Sequence, residues 1–140
     1  MNITQEQIVA VLRGEKVEID GMRLAWRSVW PDFRSSHGFR WPFPGQVATA
    51  DPNEREFTKG DPCPQFEGDG LCLALTWEGA ASGGIPASAV LICAYDPAHV
   101  LGQDAAKLRV SLTHVVEVVD IQHVIRSGAL SGVNLSGAYL

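Results

Sequence analysis

Cys63, Cys72 and Cys93, with His37 or His99 beside them, could supply four ligands to a zinc ion. No two of these cysteines have the close Cys-x2–4-Cys spacing of common zinc sites. Buried cysteine also acts as a small hydrophobe, and Cys93 falls in an apolar run, so no metal site is expected. Cys72 follows the turn-forming Gly68-Asp69-Gly70, but nothing basic lies beside it in sequence to lower its pKa. A nucleophile–base pair of Cys72 with His37 or His114 is conceivable, and the sequence alone gives it no support. Ser35 and Ser36 precede His37, yet adjacency in sequence does not make a triad. Gly68-x-Gly70 lacks the third glycine and the βαβ frame of a dinucleotide fingerprint. A second constellation is richer. Trp30, Phe33, Phe39, Trp41 and Phe43 interleave with Arg34, His37 and Arg40. The plain reading is a packed loop with solvated arginines. The sharper one is a surface whose aromatics stack on a ring while its arginines meet an anion.

The elements that must position these residues can be read from periodicity. Thr4 can cap a helix carrying Ile8, Val11 and Leu12 at helical spacing, with Gln7 completing a capping box and Gly14 ending it. Asp20-Gly21 between two alternating runs is the strongest hairpin signal in the chain. Val17 and Ile19 against Met22, Leu24 and Trp26 leave one apolar face and one charged face, the latter expected in solvent. From Val29 to Pro64 periodicity fades, and six prolines (Pro31, Pro42, Pro44, Pro52, Pro62 and Pro64) punctuate a long irregular segment. Leu71–Leu75 then reads as a strand, Trp77–Ala81 as one or two helical turns, and Ala89–Tyr95 as a buried strand. Pro97–Gly102 reads as a turn, Lys107–Leu112 as a half-exposed strand, Thr113–Ile121 as a further strand, and Gln122–Ser127 as a closing helical turn.

At 140 residues the chain can bury one core without staples. Apolar residues make 46 % and charged residues 19 %, a globular composition. A net charge of −5 disfavours general binding to nucleic acid or to an anionic membrane. No apolar run reaches the length of a membrane span, no signal-peptide pattern opens the chain, and three cysteines make no even disulfide framework. The default is a cytoplasmic protein with reduced thiols.

Leu130, Leu135 and Leu140 recur every five residues, in LSGVNLSGAYL. Val133-Asn134-Leu135 and Ala138-Tyr139-Leu140 resemble the opening of a pentapeptide-repeat array, with a small residue two before each central leucine. Residues 1–128 are therefore read as one α+β domain, and 129–140 as the start of a repeat-like tail. Such a tail cannot close a coil by itself. A symmetric dimer in which each open end covers the other would solve that problem. The region ahead of it, with Cys63, Gly70-Leu71-Cys72 and Lys107-x-Arg109, is similar to an uncharacterised domain of phage and bacterial proteins that sometimes precedes such repeats. That family tends to have Gly-Leu-His where this chain has Gly70-Leu71-Cys72.

The order of pieces also resembles the ADP-ribosyltransferase fold. His37-Gly38-Phe39-Arg40 looks like the His-Gly-x-Arg segment of that family, and Gly70-Leu71-Cys72 like the segment carrying a ring-stacking tyrosine. The resemblance implies an NAD site built from His37, Gly38, Arg40, Gly70 and Cys72. Cys72 replaces the stacking tyrosine, and Glu117 lies several residues inside the strand whose start would bear the catalytic glutamate. The expected fold is α+β: a short N-terminal helix and hairpin, then a mostly antiparallel sheet with one small helix. The expected function is a non-catalytic recognition or adaptor domain of a pentapeptide-repeat protein, using Trp30–Phe43 to bind a protein partner and needing no cofactor. A degenerate or active NAD-dependent transferase is the alternative.

Overall fold

Thr4 starts the first helix, α1 (Gln5–Leu12), through the reciprocal pair its neighbours allow. Gln7 N donates to Thr4 Oγ1 at 3.1 Å, and Thr4 N donates to Gln7 Oε1 at 2.8 Å. Thr4→Ala removes the acceptor of a helix-end donor, Gln7 N, and is expected to cost about 1 kcal/mol in urea unfolding. An unchanged midpoint would mean that the box is open in solution. The next turn is equally local in origin. Asp20 (φ 52°) and Gly21 (φ 79°) are both left-handed, the geometry of the two-residue hairpin loop joining β1 (Glu18–Ile19) to β2 (Met22–Val29).

A computed structural model describes residues 1–35, 38–50, 61–64, 68–81, 85 and 89–135. Beyond β2 come β3 (Val47–Thr49), β4 (Leu71–Ala74), α2 (Trp77–Ala81), β5 (Ala89–Tyr95), β6 (Val100–Gln103), β7 (Lys107–Val110), β8 (Leu112–Asp120) and α3 (Ile121–Arg126). The strands form one antiparallel sheet in the order β3-β8-β5-β2-β4-β7-β6, with β1 paired to β2 off that path. The fold is α+β. As the hydrophobic runs suggested, β5 is central, with β8 as one neighbour and β2 as the other.

Alternation along β5 divides the core in two. Val90, Ile92 and Ala94 join Leu24 and Trp26 beneath α1, α2 and α3. The rings of Trp26 and Trp77 meet at 5.5 Å, and Trp77 Nε1 donates to the Leu12 carbonyl at 2.9 Å, tying α2 to the end of α1. Leu91, Cys93 and Tyr95 face the other way, toward Ala25, Val29, Trp41, Ala48 and Leu73. Among the described residues no helix covers this second face; segments around Phe33, Trp41 and Ala48 do.

Several expectations change here. The face of β2 opposite Leu24 and Trp26 is not solvated, because Ala25 and Val29 lie buried on it beneath the Trp41 segment. The strand β7 is not half-exposed. Arg109 is fully buried, its Nε donating to the Asp61 carbonyl (3.1 Å) and its Nη1 to the Asp69 carbonyl (2.7 Å). The proline-rich segment contains β3, and only Pro97–His99 of the expected turn is a 3-10 turn; β6 follows it. The described part of the tail packs on the domain's own core. Leu130 is 5 % exposed within the helix-side cluster, and Ala129, Val133 and Leu135 pack against it. Arg13 Nη1 donates to the carbonyls of Ala129 (3.1 Å) and Ser131 (2.9 Å), fastening this segment to the end of α1. Leu140 lies outside the described residues.

Candidate functional site

The aromatic segment is a hairpin that grows out of β2. Trp30 N donates to the Arg34 carbonyl and Phe33 N to the Trp30 carbonyl, a reversal that places Phe33 in the left-handed region at φ 68°. Arg34 and Arg40 then pair as an antiparallel bridge, Ser35 N donates to the Phe39 carbonyl, and Trp41 N returns to the Phe33 carbonyl. Asp32 holds both arginines. Its carboxylate lies 3.5 Å from Arg34 Nε, and its carbonyl accepts from Arg40 Nε at 3.3 Å. A second turn staples the hairpin to the sheet edge. Gln46 Oε1 accepts from Phe43 N, Gly45 N donates to the Val115 carbonyl, and Val115 N donates to the Gln46 carbonyl.

The five aromatics divide by role. Trp41 is 2 % exposed and belongs to the core, with Phe33 packed against the same cluster. Trp30 (43 %), Phe39 (41 %) and Phe43 (66 %) remain exposed. Phe43 meets Phe33 edge-on at 5.2 Å, and Phe39 meets Trp41 edge-on at 5.7 Å. Two exposed rings are thus each braced by a more buried one.

Under the hairpin sits Arg27, one residue past the run whose charged face was expected in solvent. Its Cζ lies 5.4 Å from the Trp41 ring centroid, and its Nη1 donates to the Cys72 carbonyl at 3.0 Å. β2 and β4 share a single residue pair, Trp26 with Ala74, so the guanidinium reaches a β4 carbonyl that this short ladder leaves. Burial draws Arg27 below the ordinary guanidinium value, while the thiols of Cys72 and Cys93 push it back up. Arg27 Nε and Trp41 Nε1 are both buried without a hydrogen-bond partner. The ring face and one carbonyl are what this cation has in place of a carboxylate.

A second cluster lies on β4 and β7. Cys72 is opposite Arg109 and Ala74 opposite Lys107, so alternation puts Cys72, Lys107 and Arg109 on one face. The segment 61–64 lies against them. The Cys72 thiol donates to the Pro62 carbonyl at 3.2 Å, and Cys63 N donates to Asp61 Oδ1 at 2.8 Å. Burial pushes the Cys72 thiol up, with Arg27, Lys107 and Arg109 pulling it down and Cys63 adding to the rise. A side-chain hydrogen bond with Cys63 raises Lys107. Gly70, at φ +135°, lies so close to Arg109 that a Cβ there would meet Cγ at 2.5 Å. Packing against the arginine stem therefore accounts for this glycine.

Of the five residues expected to form an NAD site, His37 lies outside the described residues. Gly38 and Arg40 make their hydrogen bonds inside the hairpin, through Ser35 and Asp32. Gly70 packs on Arg109, and the Cys72 thiol turns to Pro62. Arg27 is the link between the two groups, stacked on Trp41 and bonded to the Cys72 backbone. Its sequence signal was one arginine set between apolar residues, in Ala25-Trp26-Arg27-Ser28-Val29, just ahead of an aromatic-rich loop. Among the described residues, no three or more His, Cys, Asp or Glu are placed to hold a metal ion. No helix among them is long and apolar enough to cross a membrane. Comparison of the chain with protein-family models, curated proteins and solved structures found no match.

Proposed function

We propose that this chain is a non-catalytic recognition domain of the kind that precedes pentapeptide repeats, and that Trp30–Phe43 is its protein-binding surface. One observation carries the reading: Trp30, Phe39 and Phe43 stand exposed on a hairpin fastened to the sheet at both ends. Exposed aromatics on a braced backbone are the residues that dominate protein interfaces, because they bury a large area while losing little side-chain freedom. Arg34 and Arg40, held by Asp32, would supply a polar rim.

A photo-crosslinking amino acid at Phe43, compared with one at Glu6 on α1, tests the surface in an extract of the source cell. The expected result is a discrete protein adduct from position 43 that disappears when Phe39→Ser is added, with the thermal midpoint kept. Adducts of the same pattern from both positions would refute the surface. Calorimetry with millimolar NAD separates the transferase alternative. No heat is expected, and heat removed by Arg40→Ala would replace the recognition reading with a nucleotide-binding one.

A further inference from the structure

We infer that Cys63 and Cys72 form a hydroperoxide-oxidisable dithiol, a modification site in which segment 61–64 becomes covalently joined to β4. The inference is independent of the recognition surface.

The geometry begins at the Pro62 carbonyl. Its oxygen accepts from the Cys72 thiol at 3.2 Å. In a trans peptide that oxygen lies about 2.8 Å from the next Cα, so Cys72 Sγ is at most about 6 Å from the Cys63 Cα. In a disulfide, with its S–S bond of about 2 Å, each sulfur lies roughly 4 Å from the partner's Cα, so about 2 Å at most remains to be closed. Closure therefore needs a rotation of the Cys63 side chain and a small shift of 61–64, with the strand left in place. Both cysteines are half-buried, whereas Cys93 is fully buried in the sheet. A small oxidant can reach the first two and not the third.

The surroundings divide the work between the sulfurs. The Lys107 ammonium is hydrogen-bonded to the Cys63 side chain, which sets a donor beside this sulfur to meet the departing peroxide oxygen. Cys72, donating to a carbonyl in a more buried place, is held as the thiol. In the first step the Cys63 sulfur attacks one peroxide oxygen and the O–O bond breaks. The leaving alkoxide takes the proton that Cys63 gave up, giving an alcohol and a sulfenic acid on Cys63. In the second step the Cys72 sulfur attacks the sulfenic sulfur and the S–O bond breaks. Hydroxide leaves with the Cys72 proton as water. One hydroperoxide is reduced and two thiols become one disulfide.

The test uses the whole chain and stoichiometric hydrogen peroxide, followed by alkylation and non-reducing peptide mapping. The expected product has lost two hydrogens, carries a Cys63–Cys72 link within one chain, and keeps the Cys93 thiol. Cys72→Ser should stop at a sulfenic acid on Cys63 that dimedone traps. Cys63→Ser should leave Cys72 unmodified at the same dose. Lys107→Gln should slow the bridge several-fold without changing its identity. Two outcomes overturn the proposal: disulfides only between chains, or a Cys63 that over-oxidises in the wild type as fast as in Cys72→Ser.

Discussion

Leu91→Ala and Ile92→Ala are each expected to cost about 2–5 kcal/mol, among the largest losses available to a single truncation in this chain. Both side chains are 0 % exposed, and they sit on the strand that β2 and β8 flank. Their neighbours differ completely. Leu91 packs with Ala25, Trp41 and Val115 under the hairpin, and Ile92 packs with Trp26, Val119 and Val124 under the helices. Because the two sites share a backbone but no side-chain partners, the double variant should lose nearly the sum of the single losses. That sum approaches the whole stability of an ordinary domain, about 5–15 kcal/mol, so the double variant should be largely unfolded without a stabilising solute. Urea midpoints at constant slope measure each loss. A loss below about half a kcal/mol at both sites would place β5 outside the core, since fully buried leucine and isoleucine do not behave that way.

That β5 is central could be read from its composition, because a strand covered on both faces needs apolar side chains at every position. Ala89–Tyr95 has them, and six of its seven residues are buried. The capping box at Thr4 and the Asp20-Gly21 turn were legible for the same reason: each is a bargain struck within four residues. Other elements depend on partners far away in sequence. Val47–Thr49 is too short to show a period, and becomes a strand only because Leu112–His114 offers a ladder. Val100–Gly102, the first three residues of β6, looked like part of a turn running from Pro97 to Gly102, yet β7 supplies the strand's pairing. Nor does local pattern say that β4 lies between β2 and β7.

The same limit applies to the site. Trp41 and Phe43 are two residues apart in a segment without periodicity, and nothing local distinguishes the core ring from the exposed one. Arg27 stands among apolar residues with nothing local to say what covers it, and Arg109 reads as a polar position of a half-exposed strand. In the structure the Trp41 ring lies over the first, and the carbonyls of Asp61 and Asp69 receive the second. Long loops folding back over the sheet convert polar faces into buried ones, and a strand's own alternation cannot announce that. Leu130 and Leu135, five residues apart, both meet the domain's own core, but so do Ala129 and Val133, so packing on the domain accounts for their positions.

Above pH 9 the fold should lose stability through Cys93, and the loss should be separable from every other titration. Burial pushes this thiol up to about 12 from an ordinary 9.0, outweighing the opposite pull of Arg27 and a hydrogen bond with Thr113. Below pH 9 both folded and unfolded chains keep the proton, so the thiol leaves stability unaffected by pH. Between pH 9 and 12 the unfolded chain releases the proton and the folded chain holds it. Each pH step in that window then favours unfolding by about 1.4 kcal/mol, roughly 4 kcal/mol in full. Cys93→Ala lacks the titration but leaves a small cavity beneath Leu91 and Tyr95, worth about 1 kcal/mol at pH 7. The variant should therefore be the weaker protein at neutral pH, match the wild type near pH 10, and be the more stable one above it. Cys72 and Tyr95, also raised by burial, are present in both proteins and cancel in the difference. Urea midpoints at pH 7, 9, 10 and 10.5 give the two curves. If they stay parallel throughout, the folded chain ionises Cys93 as readily as the unfolded one, and the second face of the sheet is open to water.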